Sequence, residues 1–125
     1  MLGDSIPLPK LRRQDLKNRQ NSTDALDALV VQDFNSKMQK HFVDGMHLYK
    51  DMLDAGVAKE CARFVLPLAT PTRLYMTGSV RSWVHYIELR SAHGTQKEHM
   101  DLVENVRKIF VEQFPIVSEA LGWKQ

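Results

Sequence analysis

This chain has a single cysteine, Cys61, which rules out an internal disulfide and suits a reducing compartment. No Cys/His spacing resembles a zinc site. Its histidines (His41, His47, His85, His93 and His99) include no H-E-x-x-H pair, so no metal is expected. No apolar run approaches the roughly 20 residues that cross a bilayer. The opening MLGDSIPLPK lacks the apolar core of a secretory signal, so the expected location is cytoplasmic. There is no internal repeat and no low-complexity tract. Disulfide scaffolds, zinc modules, membrane spans and repeat arrays are thereby set aside.

What is present describes one globular domain over residues 1–125: 43% hydrophobic and 26% charged residues suffice for one ordinary core. Net charge is only +2, but it is uneven. Lys10 to Gln20 (KLRRQDLKNRQ) holds five basic residues and one aspartate, leaving the remainder at about −2. Such a segment favours anionic partners: phosphate, nucleic acid or an acidic neighbouring subunit. A solvated terminal arm with no partner is the plainer reading.

Residues 1–22 contain Gly3, Pro7 and Pro9 and show no sustained period, which predicts an irregular basic lead-in. Ser22 or Thr23 can cap a helix, with Asp24 and Asp27 suited to its positive first turn. Leu26, Val30, Phe34, Met38, Phe42, Met46, Tyr49 and Leu53 then recur at helical spacing, and Gly56 ends the run. A short helix is expected from Ala58 to Val65, before Pro67. Thr72 to Thr77 alternates weakly and reads as a strand, Gly78-Ser79 as a turn, and Val80 to Arg90 as a helix. A last long helix opens at Thr95 and stops before Pro115, with Met100, Val103, Val106, Ile109, Phe110 and Phe114 on one side. A further short helical turn follows it. The expected class is α+β, mostly helical with one short strand. One strand cannot satisfy its own edges. It needs a partner chain or a further part of the protein.

Residue types alone leave the chemistry open. Arg63 suits a surface ion pair with Glu60. Cys61 has no histidine beside it in sequence to act as base, which makes it structural. Thr77 to Arg81 (TGSVR) is a strand-turn-helix junction whose free N–H groups favour anions. Arg81 and His85, four apart, share a helix face, and Arg90 lies about half a turn away from Arg81. Trp83 and Tyr86 read as core or interface.

The stretch Gly56 to Arg90, GVAKECARFVLPLATPTRLYMTGSVRSWVHYIELR, carries a denser signature. The pattern G-V-x-x-E-x-A-R-x-V-L-P, then T-R, then T-G-x-x-R-S-x-x-H-[FY]-x-x-L-R, resembles the C-terminal half of the flavin-dependent thymidylate synthases. The likeness extends from about Arg12 to Pro115. The family's motif R-H-R-x-x-S-x-N-E-x-S is absent from this sequence. The resemblance implies an α+β homotetramer, with a dimer as the smaller possibility. It implies dUMP as substrate, FAD as cofactor, and NADPH and methylenetetrahydrofolate as co-substrates. It implies a truncated part, inactive by itself. By the same resemblance Arg63 contacts the nucleotide, and Ser79, Arg81 and His85 contact the flavin. Arg90 lies against the pyrimidine ring, where it favours the ionised form. The family usually carries Asn where this chain has Ser79, and a serine reaches less far. Gln96 and Glu98 match the tail of the family's A-Q-x-E, with Thr95 for Ala and Lys97 for an aromatic, and read as structural.

Two other classes compete. One is a small basic nucleic-acid-binding domain. It is disfavoured because Lys37, Lys40 and Lys50 alternate with Asp33, Asp44 and Asp51 along the long helix. The other is a non-catalytic helical assembly module, a partner for a separately encoded N-terminal half.

Overall fold

The computed structural model describes residues 6–19, 21–23 and 26–123. They form, in order, strands β1 (Arg13–Gln14) and β2 (Ser22–Thr23) and helix α1 (Ala28–Asp54). Helix α2 (Lys59–Ala62) runs on into a 3-10 turn (Arg63–Val65), and α3 (Val80–Arg90), α4 (Lys97–Gln113) and α5 (Pro115–Ala120) follow. The class is α+β, mostly helical, with a two-stranded sheet in the order β1-β2. No helix among the described residues is long and apolar enough to cross a membrane.

The chain divides into two compact units, residues 1–13 with 24–75 and residues 14–23 with 76–125. In the first, Asp27 rather than Ser22 or Thr23 caps α1, its carboxylate accepting from the N–H groups of Leu29 and Val30 at 2.9 and 3.4 Å. Ser22 and Thr23 are unavailable for that role because they pair in β2. Asp24 lies outside the described residues. Gly56 ends α1 at φ +83°, a conformation that favours glycine. Gly56 N–H donates to Leu53 O and Val57 N–H to Met52 O, both at 2.9 Å, the paired bonds of a Schellman ending. The chain then turns back. The α2 and 3-10 segment packs on α1, burying Phe42, Ala62 and Pro67. Gly45 permits this approach: a Cβ there would stand 3.0 Å from Pro67 Cδ and 3.3 Å from Val65 O.

In the second unit α3 packs on α4, and α4 on α5. Ile87, Val103 and Phe110 form its core, with Trp83, Val84, Tyr86, Val106 and Trp123 packed around them. Gly94, at φ +98°, lies in the short α3–α4 connection. A second Schellman ending at Gly122 closes α5, with Trp123 N–H donating to Ser118 O at 2.9 Å. That turn brings the Trp123 indole edge-on to Phe110, 5.6 Å between ring centroids.

Three expectations are corrected. Thr72–Thr77 forms no strand; residues 71–79 are exposed and carry no regular structure. Alternation prepares a segment for pairing, but a strand exists only with a hydrogen-bonded neighbour. The sheet lies instead in the lead-in, which is thus not irregular throughout. Polar side-chain bonds, invisible to hydrophobic periodicity, build that hairpin. On α4, Ile109 is 61% exposed and not part of the core face.

Candidate functional site

Helix α3 carries most of the candidate residues. Its core face is Ile87 with Trp83 and Val84. On a 3.6-residue turn Arg81 and His85 then fall on the side away from Ile87, and Arg90 about half a turn from Arg81. All three are exposed. Ser79 caps the helix, its Oγ accepting from Ser82 N–H at 3.1 Å and lying 2.9 Å from Ser82 Oγ. The expected turn and helix at TGSVR are therefore present, although no strand precedes them.

The electrostatics of α3 differ from those of the other long helices. On α1, Lys37 pairs with Asp33 and Lys40 with Asp44, each one turn apart. On α4, Lys97 pairs with Asp101. Arg107 grips Glu104 with two nitrogens, at 3.0 and 3.2 Å, and this bond holds the Glu104 carboxyl below its usual pKa. On α3, Arg81 and Arg90 have no acid three or four residues away, and neither forms an ion pair among the described residues. The first turn of α3 has no acidic residue, although its N–H groups carry partial positive charge. Arg81 adds a full positive charge to that end. An anion is what such a helix start lacks.

Arg63 lies in the other unit, exposed on the 3-10 turn. The ion pair with Glu60 does not form; the guanidinium lies instead 5.9 Å from the Phe64 ring centroid. Phe64 is itself 82% exposed. Cys61 is exposed on α2. No group of three or more His, Cys, Asp and Glu side chains among the described residues could hold a metal.

One contact was not legible in the sequence. Tyr86 OH lies 2.9 Å from His99 Nε2, linking α3 to α4, and Trp83 meets Tyr86 edge-on at 5.7 Å. The pair is thirteen residues apart, and its only sequence signal is two amphipathic helices joined by a short break. Arg73, the arginine of the signature's T-R pair, is exposed on the 71–79 segment and was given no role.

The family of thymidylate synthase complementing proteins matches residues 8–116. The chain belongs to that family. It is 47% identical over 120 residues to a probable flavin-dependent thymidylate synthase of Paramecium bursaria Chlorella virus 1, covering 96% of this chain and 56% of the relative. It is 51% identical over 112 residues to a flavin-dependent thymidylate synthase of Synechocystis, covering 90% and 52%. A namesake from Thermosipho africanus is 29% identical over 120 residues, covering 95% and 53%. The chain thus spans about half the length of the curated relatives it matches.

Proposed function

We propose that this chain is the C-terminal part of a flavin-dependent thymidylate synthase, an enzyme that reductively methylates dUMP to dTMP. Both compact units belong, in this reading, to one synthase domain. The observation that carries it is the family signature over Gly56–Arg90, together with two arginines on α3 that have no acidic partner among the described residues. FAD is the cofactor, methylenetetrahydrofolate supplies the carbon, and NADPH supplies the reducing equivalents.

The chain's own residues divide the work. Arg63 offers paired donors to the nucleotide phosphate. Arg90 stands against the pyrimidine, where a fixed positive charge stabilises negative charge developing on the ring as C5 attacks the carbon donor. Arg81, beside the positive start of α3, and His85, on the same face, hold the flavin. Both are exposed, with no ion pair among the described residues, and so fit an anionic or hydrogen-bonding ligand. Ser79 fits less well, because its hydroxyl is already engaged with Ser82. When bound, the flavin supplies the hydride that reduces the transferred carbon to a methyl group.

The 125 residues are inactive by themselves and associate with themselves, as a homotetramer or dimer. Support comes from exposed apolar residues such as Phe34, Leu48, Phe64 and Tyr75. A surface of that kind is ordinarily covered by association. Light scattering at micromolar concentration tests this, and a stable 14.4 kDa monomer would refute it. The function is tested on a version of the protein as long as its relatives. It should show flavin absorbance and release tritium from C5-labelled dUMP when given NADPH and the folate. Flavin binding without tritium release would overturn the reading.

A further inference from the structure

A run of contacts in the second unit lines up end to end, and the proposed chemistry uses none of its side chains. Tyr86 OH, on α3, lies 2.9 Å from Nε2 of His99, in the first turn of α4. Their rings are 5.8 Å apart between centroids. Trp83, one turn earlier on α3, meets Tyr86 edge-on at 5.7 Å. The same indole closes on the turn that precedes α3: a Cβ at Gly78 would stand 3.4 Å from Trp83 Nε1. Trp83, Tyr86 and His99 are all half-buried. A continuous path of contacts thus runs from α4 to the Gly78-Ser79 turn.

Apolar packing is non-directional. Ile87, Val103 and Phe110 hold α3 against α4 but tolerate a small rotation or slide of one helix on the other. A hydrogen bond is different, because it needs both distance and angle. A phenylalanine would fill the space of the Tyr86 ring and bring no polar group with it. The hydroxyl and the imidazole must instead satisfy one another where water is partly excluded, and this singles out one arrangement of the two helices. That arrangement matters for what α3 carries. Ser79 and Arg81 follow closely on Gly78, His85 adjoins Tyr86, and Arg90 lies one turn beyond Tyr86 on the same face. A rotation of α3 would move all of them together. A displacement of about 1 Å at a site can cost about 10²-fold in rate.

We propose that Tyr86, His99 and Trp83 are positioning residues: the Tyr86–His99 bond, passed on through the Trp83 indole, fixes the rotation of α3 and the Gly78-Ser79 turn for the flavin. The inference rests on the synthase reading, through the assignment of α3 to the flavin, and two measurements separate their failures. The first uses the 125-residue chain and no cofactor. The nitrogen resonances of the His99 ring should shift in Tyr86→Phe, while circular dichroism stays as in the wild type. Unchanged resonances overturn the proposal. The second is flavin affinity in the version as long as the relatives. Tyr86→Phe and His99→Leu should each weaken flavin binding about tenfold, the lower end of the cost of losing a partner that orients a ligand-binding group. The double variant should be no weaker than either single one, since both remove the same bond. His99→Gln, whose amide reaches as far as Nε2, should recover most of the affinity. All titrations are made well below the melting temperature, so that a loss of stability alone leaves affinity unmoved. Unchanged affinity in the single variants, additive losses in the double variant, or no recovery in His99→Gln overturns the positioning role and leaves the synthase reading standing. A wild-type protein that binds no flavin overturns the synthase reading and this role with it.

Discussion

The two compact units differ in how much of a core they close, although both leave apolar side chains such as Phe34 and Ile116 exposed. The α3–α5 unit closes a core of its own: Ile87 and Val103 are 1% and 0% exposed, with Phe110 and Val111 at 6%. The α1 unit buries little. Phe42 and Ala62 are covered, while Val30, Phe34, Val43 and Leu48 on the same long helix remain open. Charge differs between helices: α1 pairs Lys37 and Lys40 with acids and α4 pairs Lys97 and Arg107, whereas α3 leaves Arg81 and Arg90 without an ion pair among the described residues. A self-sufficient core beneath unpaired cations is how a rigid element presents a binding site. An open apolar helix with balanced charge is how an element waits for a covering surface.

The sharpest test of this contrast is a pair of phenylalanine truncations. Phe110→Ala should cost about 3–5 kcal/mol, because the ring is buried against Phe114 and Trp123. Phe34→Ala in α1 should stay within about 0.5 kcal/mol in the dissociated chain, since that ring is half exposed. Urea unfolding at low protein concentration measures both, and equal losses would erase the distinction between the units.

Next in size are the arginines of α3. In the version as long as its relatives, Arg90→Ala should lower kcat by about 10²–10³, the usual effect of losing one donor that stabilises developing charge. Flavin absorbance should largely survive. Arg81→Ala should lose flavin first. Neither substitution should lower the melting temperature of the 125-residue chain appreciably, because neither side chain has an acidic partner. A large stability loss would mark them as structural.

A third prediction concerns how α1 meets the α2 and 3-10 segment. Alanine is ordinarily favoured over glycine within a helix by about 1 kcal/mol. At Gly45 the added Cβ meets Pro67 and the Val65 carbonyl at 3.0 and 3.3 Å, and a carbonyl cannot rotate away. Gly45→Ala should therefore destabilise by a net of about 1–2 kcal/mol. A gain in thermal stability would show that the α1 contact is looser than described.

The smallest effect is local and pH-dependent. Asp15 is bound by backbone N–H groups in the folded hairpin, which lowers its pKa from 3.8. Its contribution is present above that value and is lost as pH falls through the lower, folded one. Amide exchange at Lys17 and Asn18 should therefore accelerate as pH falls below about 4, beyond the intrinsic pH trend. Asp15→Asn should flatten that response, and an unchanged profile would mean the turn does not depend on the carboxylate.

Much of this architecture was legible from periodicity and punctuation. The long helix ending at Gly56, the short helix before Pro67, the helix Val80–Arg90 and the break at Pro115 all follow from spacing, glycine and proline. These features act over one or two turns, so the sequence displays them. The family signature likewise lies in contiguous residues, and its match to residues 8–116 bears that reading out. The position of the sheet was not legible, because the Arg13–Thr23 hairpin depends on side-chain bonds from Gln14 and Asp15. The Thr72–Thr77 segment has the alternation of a strand but no neighbour within the described residues. The sequence by itself determined the helices, where most of them stop, and the absence of an acid three or four residues from Arg81 or Arg90, because each is a matter of near spacing along one chain. Only the tertiary structure decided that Phe42 is covered while Phe34 is not, that Gly45 admits Pro67, and that Tyr86 meets His99, because burial and contact depend on which distant residue arrives.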